Sequence, residues 1–235
     1  MVLDVSAAVR LPRSSINLPS LLSAQLSSKL KDPMDQSRRD DYEQSIVKKF
    51  GGIFPPFEAF YLQGIIYAAG RCVNSFQQFD DISYTDTDAS KVVAIVQEAL
   101  THAGALSRYF WPSPKRKNKL ALARANKLRY FFDLHDNSPL RYRALRDALE
   151  HFDERLDHYL IGATAGSFFP GPLIANADLA SEPTGHFFRL VDPEKQVCVI
   201  CGEKFAFGPI RNEVERVYSA ACEMDDNGSR LNRQV

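Results

Sequence analysis

Two stretches of helical periodicity constrain this chain more than any other feature. Phe57, Phe60, Tyr61, Gly64, Ile65, Ala68, Cys72, Ser75, Phe76 and Phe79 recur at spacings of three and four, as the buried face of a helix does. Val92, Val96, Ala99, Leu100, Ala103, Leu106 and Phe110 repeat the pattern. Pro55 and Pro56 suit a helix start, Thr87 or Asp88 suits the cap of the second helix, and Pro112 stops it. Such faces are stable only when covered by other elements, so the chain is expected to be mainly α.

Two further helices are expected. One runs from about Asn118 to Leu134. The other runs from Pro139, capped by Ser138, to about Ile161, with Gly162 and Gly166 marking its end. Residues 162–185 are rich in Gly, Pro, Ala and Ser and read as an extended loop. The period then shortens. His186–Val191, Gln196–Ile200 and Phe205–Phe207 read as strands separated by turns, and Pro209 opens a last helix carrying Ile210, Val214, Val217 and Ala221. The expectation is a four-helix bundle with a small C-terminal antiparallel β-hairpin or meander and a final helix. Residues 1–50 form an N-terminal arm, partly disordered, with a short helix near Leu18–Leu30; 51–165 the bundle; 166–225 the loop, hairpin and final helix packed on it; 226–235 a flexible tail.

The 235 residues carry no net charge, so nothing in the balance announces a nucleic acid or membrane partner. The distribution is uneven, however. Between Glu98 and Asp133 there is no acidic residue, while Arg108, Lys115, Arg116, Lys117, Lys119, Arg124, Lys127 and Arg129 fall there. No apolar run approaches the roughly 20 residues of a membrane span. Asp4, Arg10, Pro12 and Arg13 interrupt the start, which lacks the continuous apolar segment of a secretion signal. The expected location is therefore the cytoplasm, with the four cysteines reduced.

The chemistry-bearing stretch lies in the fourth expected helix. On an ideal helix Leu145, Ala148, Leu149, Phe152, Leu156, Tyr159 and Leu160 share one stripe. Asp147, His151, Arg155 and His158 lie on one flank, and Arg146, Glu150, Asp153 and Asp157 on the other. The segment Arg146-Asp147-x-x-x-His151 resembles the active-site motif of the HEPN superfamily of helical ribonucleases, with Asp in place of the commoner Asn after the Arg. The flanking sequences Ala103–Pro112, Ser138–Asp157, Phe188–Pro193 and Gly202–Phe205 extend the likeness to uncharacterised bacterial proteins of this type, over roughly Phe57–Glu223.

The resemblance implies a metal-independent endoribonuclease of the toxin or anti-phage kind. It implies a homodimer with the two motifs facing a shared cleft, and a cognate antitoxin or regulatory protein. His151 would be the acid/base, because an imidazole titrates near pH 6.5 and can take the 2′-hydroxyl proton. Arg146 would clamp the phosphate with a permanently charged planar fork, and Asp147 would orient the imidazole. Lys115, Arg116, Lys117, Lys119, Arg155 and His158 would contact RNA, chiefly at phosphates. No cofactor or metal is called for.

A second function remains open. Arg146–Glu150, Asp147–His151 and Glu154–His158 are all i,i+4 spacings, which commonly do no more than solvate a helix. The same face would then serve a non-catalytic binding or regulatory module in dimer or partner contacts. Arg129–His135 has a compatible spacing, but Phe131 and Phe132 between them read as core. Cys198 and Cys201 have CxxC spacing without a second such pair, and only His186 and Cys222 are at hand to complete a zinc set. Buried small apolar side chains are the expected role. Gly-rich phosphate loops, serine-hydrolase elbows and zinc-protease motifs are absent.

Overall fold

The computed structural model describes residues 35–82, 88–112, 118–163 and 165–232. The expected helix at Leu18–Leu30, the Thr87 cap and the basic loop residues Lys115, Arg116 and Lys117 lie outside the described residues. The chain divides into two units, residues 1–41 and 42–235. In the first, the described residues open helix α1 (Gln36–Phe50), where the Asp35 carboxylate accepts from the Arg38 amide at 2.8 Å. The arm expected over 1–50 is thus helical from Gln36 onward.

The second unit carries the rest. A glycine turn follows α1, with Gly51 at φ 64° and Gly52 at φ 94°. Gly52 is indispensable twice over: its φ lies in the left-handed region, and a Cβ there would sit 2.3 Å from the Arg124 amide nitrogen. A 3-10 turn at Pro55–Phe57 leads into α2 (Glu58–Asp81). Helix α3 (Ala89–Phe110) starts on Asp88, whose carboxylate accepts from the Lys91 amide at 3.1 Å. Helix α4 (Lys119–Phe131) starts on Asn118, which does the same for Ala121 at 3.0 Å.

All seven apolar residues expected on the α3 face are buried. The α2 face is rotated relative to expectation at its start. Leu62 and Ala69 join the core, whereas Phe60 is 77% exposed and Phe57 also faces out. Phe57 instead meets Phe54 and Phe60 edge-on, in an aromatic row leading back to Phe50.

The fourth helix is not one helix. Ser138 and Pro139 start a 3-10 turn, Pro139–Arg141, with the Ser138 hydroxyl accepting from Leu140 at 3.3 Å. Tyr142 then leaves helical geometry at ψ 96°. Helix α5 spans Arg143–Glu150, and α6 spans Phe152–Gly162. His151, at φ −124° and ψ 40°, is the joint between them.

The loop expected over 162–185 contains a strand. Strands β1 (Ser167–Ile174), β2 (Gly185–Asp192), β3 (Val197–Ile200) and β4 (Glu203–Ala206) form one sheet in the order β1-β2-β3-β4. The meander β2–β4 is antiparallel as expected, but β1 joins parallel to β2, so the sheet is mixed. Pro170, Gly171 and Pro172 disguise β1 in the sequence. An edge strand tolerates proline, and the register slips between Phe169 and Pro172. A 3-10 turn at Ala177–Ser181 crosses between the parallel strands. Buried Asp192 secures both ends of this corner, accepting from the Ala177 amide at 2.8 Å and the Lys195 amide at 3.0 Å.

Helix α7 (Gly208–Asp226) closes the fold against α2. Arg211 grips Asp80 at 2.8 and 2.6 Å, and that contact raises the guanidinium's affinity for its proton. One continuous core holds Leu62, Phe76, Leu100, Phe110 and Phe132 from the helices together with Val191, Cys198, Phe205 and Phe207 from the sheet region. The tail expected to be flexible over 226–235 is anchored where described: Leu231 is buried, and its amide donates to Glu58 at 3.3 Å. No described helix is long and apolar enough to cross a membrane.

Candidate functional site

Helices α5 and α6 dock on different surfaces, and that is why the chain bends at His151. Helix α5 runs beside α3. The stem of Arg146 lies over Gly104, with its Cγ 3.4 Å from where a Cβ would stand. Four residues on, Glu150 pairs with Arg108 of α3. Helix α6 leans on the sheet instead. The Tyr159 ring covers the β3–β4 turn at Gly202, its hydroxyl accepts from the Phe187 amide at 2.9 Å, and Arg155 pairs with Glu203. That turn is a two-residue hairpin connection with Cys201 at φ 47° and Gly202 at φ 76°. Asp153 and Glu154 in the first turn of α6 suit a helix start there.

Within one chain the predicted triad is not assembled. Arg146 points inward, its side chain only 16% exposed, beside a small cavity lined by Leu100, Gly104, Ser107, Leu140 and Leu145. Asp147 lies outside, its carboxylate oxygen 4.0 Å from the Arg146 Nε rather than against an imidazole. His151 is exposed at the joint, with no side-chain hydrogen bond among the described residues. Glu150 of the same helix pairs with Arg108 of α3.

Of the expected RNA contacts, Lys119 is exposed at the start of α4 and His158 is exposed on α6. Arg155 is half-buried and already neutralised by Glu203.

A residue the sequence reading did not single out joins the corner. Arg189 of β2 sits over two rings, 4.6 Å from the centroid of Phe188 and 5.5 Å from that of Phe152, the residue after His151. Nothing in the sequence ties position 189 to 152; the docking of α6 on β2 does. Burial raises the Cys201 thiol, and the nearby Arg155 and Arg189 guanidiniums oppose that rise.

The second Arg–His candidate is structural. Arg129 donates to the Phe110 carbonyl at 2.9 Å and lies over the Trp111 ring, while His135 is exposed beside Asp133. The cysteines of the CxxC pair part company: Cys198 is buried with its thiol pushed up to about 12, and Cys201 occupies the turn. His186 donates through Nε2 to the Ala165 carbonyl at 2.8 Å and stacks on Phe168. Among the described residues no cluster of three or more His, Cys, Asp or Glu side chains is arranged to hold a metal ion. Compared with protein-family models, with curated proteins and with solved structures, the chain has no match in any of the three.

Proposed function

We propose that the protein is a HEPN-like, metal-independent endoribonuclease that acts at the corner between α5 and α6. The observation that carries this reading is the joint itself. His151 stands exposed at a break in the helix, with no side-chain hydrogen bond among the described residues, beside a corner that also holds Arg155 and Arg189. A neutral imidazole there takes the proton of an RNA 2′-hydroxyl; O2′ attacks the adjacent phosphorus; the 5′-oxygen leaves with a proton from a second acid. The products are a 2′,3′-cyclic phosphate and a free 5′-hydroxyl. Because Arg146 and His151 do not converge within one chain, the reading requires a second copy to supply the missing groups across a shared cleft. The cellular role belonging to this reading is that of a toxin or anti-phage component held by an antitoxin or regulatory partner.

A second reading is favoured by the seat of Arg146. Its stem is packed on Gly104 with most of the side chain covered, as in a helix-docking residue, while Phe152, Leu160 and Ile161 are exposed along α6. In that case α5 and α6 form the contact face of a non-catalytic binding or regulatory module.

The two are separated by incubating the purified protein with total RNA in EDTA, alongside His151→Ala. Cleavage by the wild type alone, leaving cyclic phosphate ends, is the expected result. Equal cleavage by the variant, or none by either, overturns the nuclease. Absence of cleavage together with lost self- or partner-association in the Arg146→Ala/Arg155→Ala double variant installs the binding module in its place.

A further inference from the structure

We infer that the seam between α6 and β2 binds single-stranded RNA, with Arg189 holding a phosphate and Phe168 stacking a base. The inference names the substrate form for the endoribonuclease reading and rests on that reading only for the cutting step.

Helix α6 and strand β2 run antiparallel along this seam. Phe152, at the start of α6, meets Arg189, and Tyr159, two turns on, meets His186 with ring centroids 5.9 Å apart. Seven helical residues and three strand residues both span roughly 10 Å, so the two contacts are in step. The His186 ring carries the Phe168 ring of β1 stacked on it, centroids 4.7 Å apart and planes 26° apart. Phe168 is 50% exposed, so its ring remains accessible to solvent while His186 supports it.

The charge on Arg189 differs from that of several other basic side chains. Arg108, Arg141, Arg155 and Lys204 each have a carboxylate partner: Glu150, Asp136, Glu203 and Asp178. Arg189 has none among the described residues and is held by the Phe152 and Phe188 rings alone. Ring contacts orient a guanidinium without neutralising it, so its charge remains available to a phosphate. An unneutralised Arg beside an accessible aromatic ring is the pairing that single-stranded nucleic acids recognise, because every base has a face to stack and every nucleotide a phosphate. A strand laid along the seam passes His151, which directly precedes Phe152 in sequence.

The test is fluorescence anisotropy with a labelled single-stranded RNA of mixed sequence, across a salt series. The full chain carries His151→Ala throughout, so that the RNA survives. Arg189→Gln is expected to weaken binding roughly tenfold and to lower the slope of log affinity against log salt by about 0.7, one phosphate contact on a single strand. Phe168→Ala is expected to weaken binding roughly tenfold with the slope unchanged, as loss of a stack does. Arg189→Lys restores the slope. Should Arg189→Gln fail to fold, exposed Phe168 decides the matter alone.

Parent-like affinity in folded Arg189→Gln and Phe168→Ala overturns the inference, as does a parent that binds no single-stranded RNA, or one that binds a protein through this seam instead. Binding without cleavage by the wild type keeps the seam and removes the nuclease. Cleavage with affinity indifferent to both substitutions removes the seam alone.

Discussion

At the residue scale, Glu58 is a charged group that ties distant segments together. Its carboxylate is buried at the start of α2, accepts from Lys127 Nζ of α4 at 2.9 Å and from the Leu231 amide at 3.3 Å, and lies 3.9 Å from Arg230. It therefore ties α2, α4 and the C-terminal segment at one point. Removing one member of a mostly buried pair strands the other's charge. Glu58→Ala is expected to cost about 3 kcal/mol in urea unfolding. Pairing it with Lys127→Met should recover part of that loss. A Glu58→Ala variant as stable as the parent would mean that Lys127 reaches water once its partner is gone.

At the scale of elements, α6 is held to the sheet by few contacts, and they are specific ones. The Tyr159 hydroxyl supplies the acceptor for the Phe187 amide, and the ring presses on Gly202. Tyr159→Phe keeps the ring and leaves that amide unpaired, at a cost of about 1–2 kcal/mol. Hydrogen exchange is the appropriate readout. The Phe187 amide is expected to lose protection far more than amides in the middle of α3, and protection unchanged at Phe187 would show that another acceptor takes over. The pH dependence of the sheet belongs to this scale too. Lys195, and more weakly Lys204, hold the Asp178 carboxyl below its ordinary range. A depressed carboxyl contributes stability above its unfolded value, and the contribution is lost as pH falls through the folded one.

At the scale of the molecule, bundle and sheet share one core. Cys72 on α2 and Cys198 on β3 belong to the same buried cluster, and burial pushes both thiols up to about 12. A single core implies that both cysteines are exposed by the same global opening. In iodoacetamide labelling at pH 8, the two should share one protection factor, which follows global stability as urea is added. Faster labelling of Cys198 would mean that the sheet opens independently of the helices.

The amino-acid sequence by itself determined the helices α2, α3, α4 and α7, the meander β2–β4 and the caps at Asp88 and Ser138. In these, local preference and the buried face agree, apart from the start of α2, where Phe57 and Phe60 face out. It also held signals that a periodicity reading passes over: Asp153 and Glu154 mark a helix start after His151, and residues 36–50 lack Pro and Gly. The break at His151, the parallel strand β1 and the placement of Arg189 against Phe152 were decided only by tertiary structure. The residues from 143 to 162 satisfy one long helical pattern, yet they dock on two surfaces whose directions differ, and packing outweighs the few hydrogen bonds lost at the joint. Local pattern fixes which residues share a helix face, but only packing between distant segments determines what that face meets.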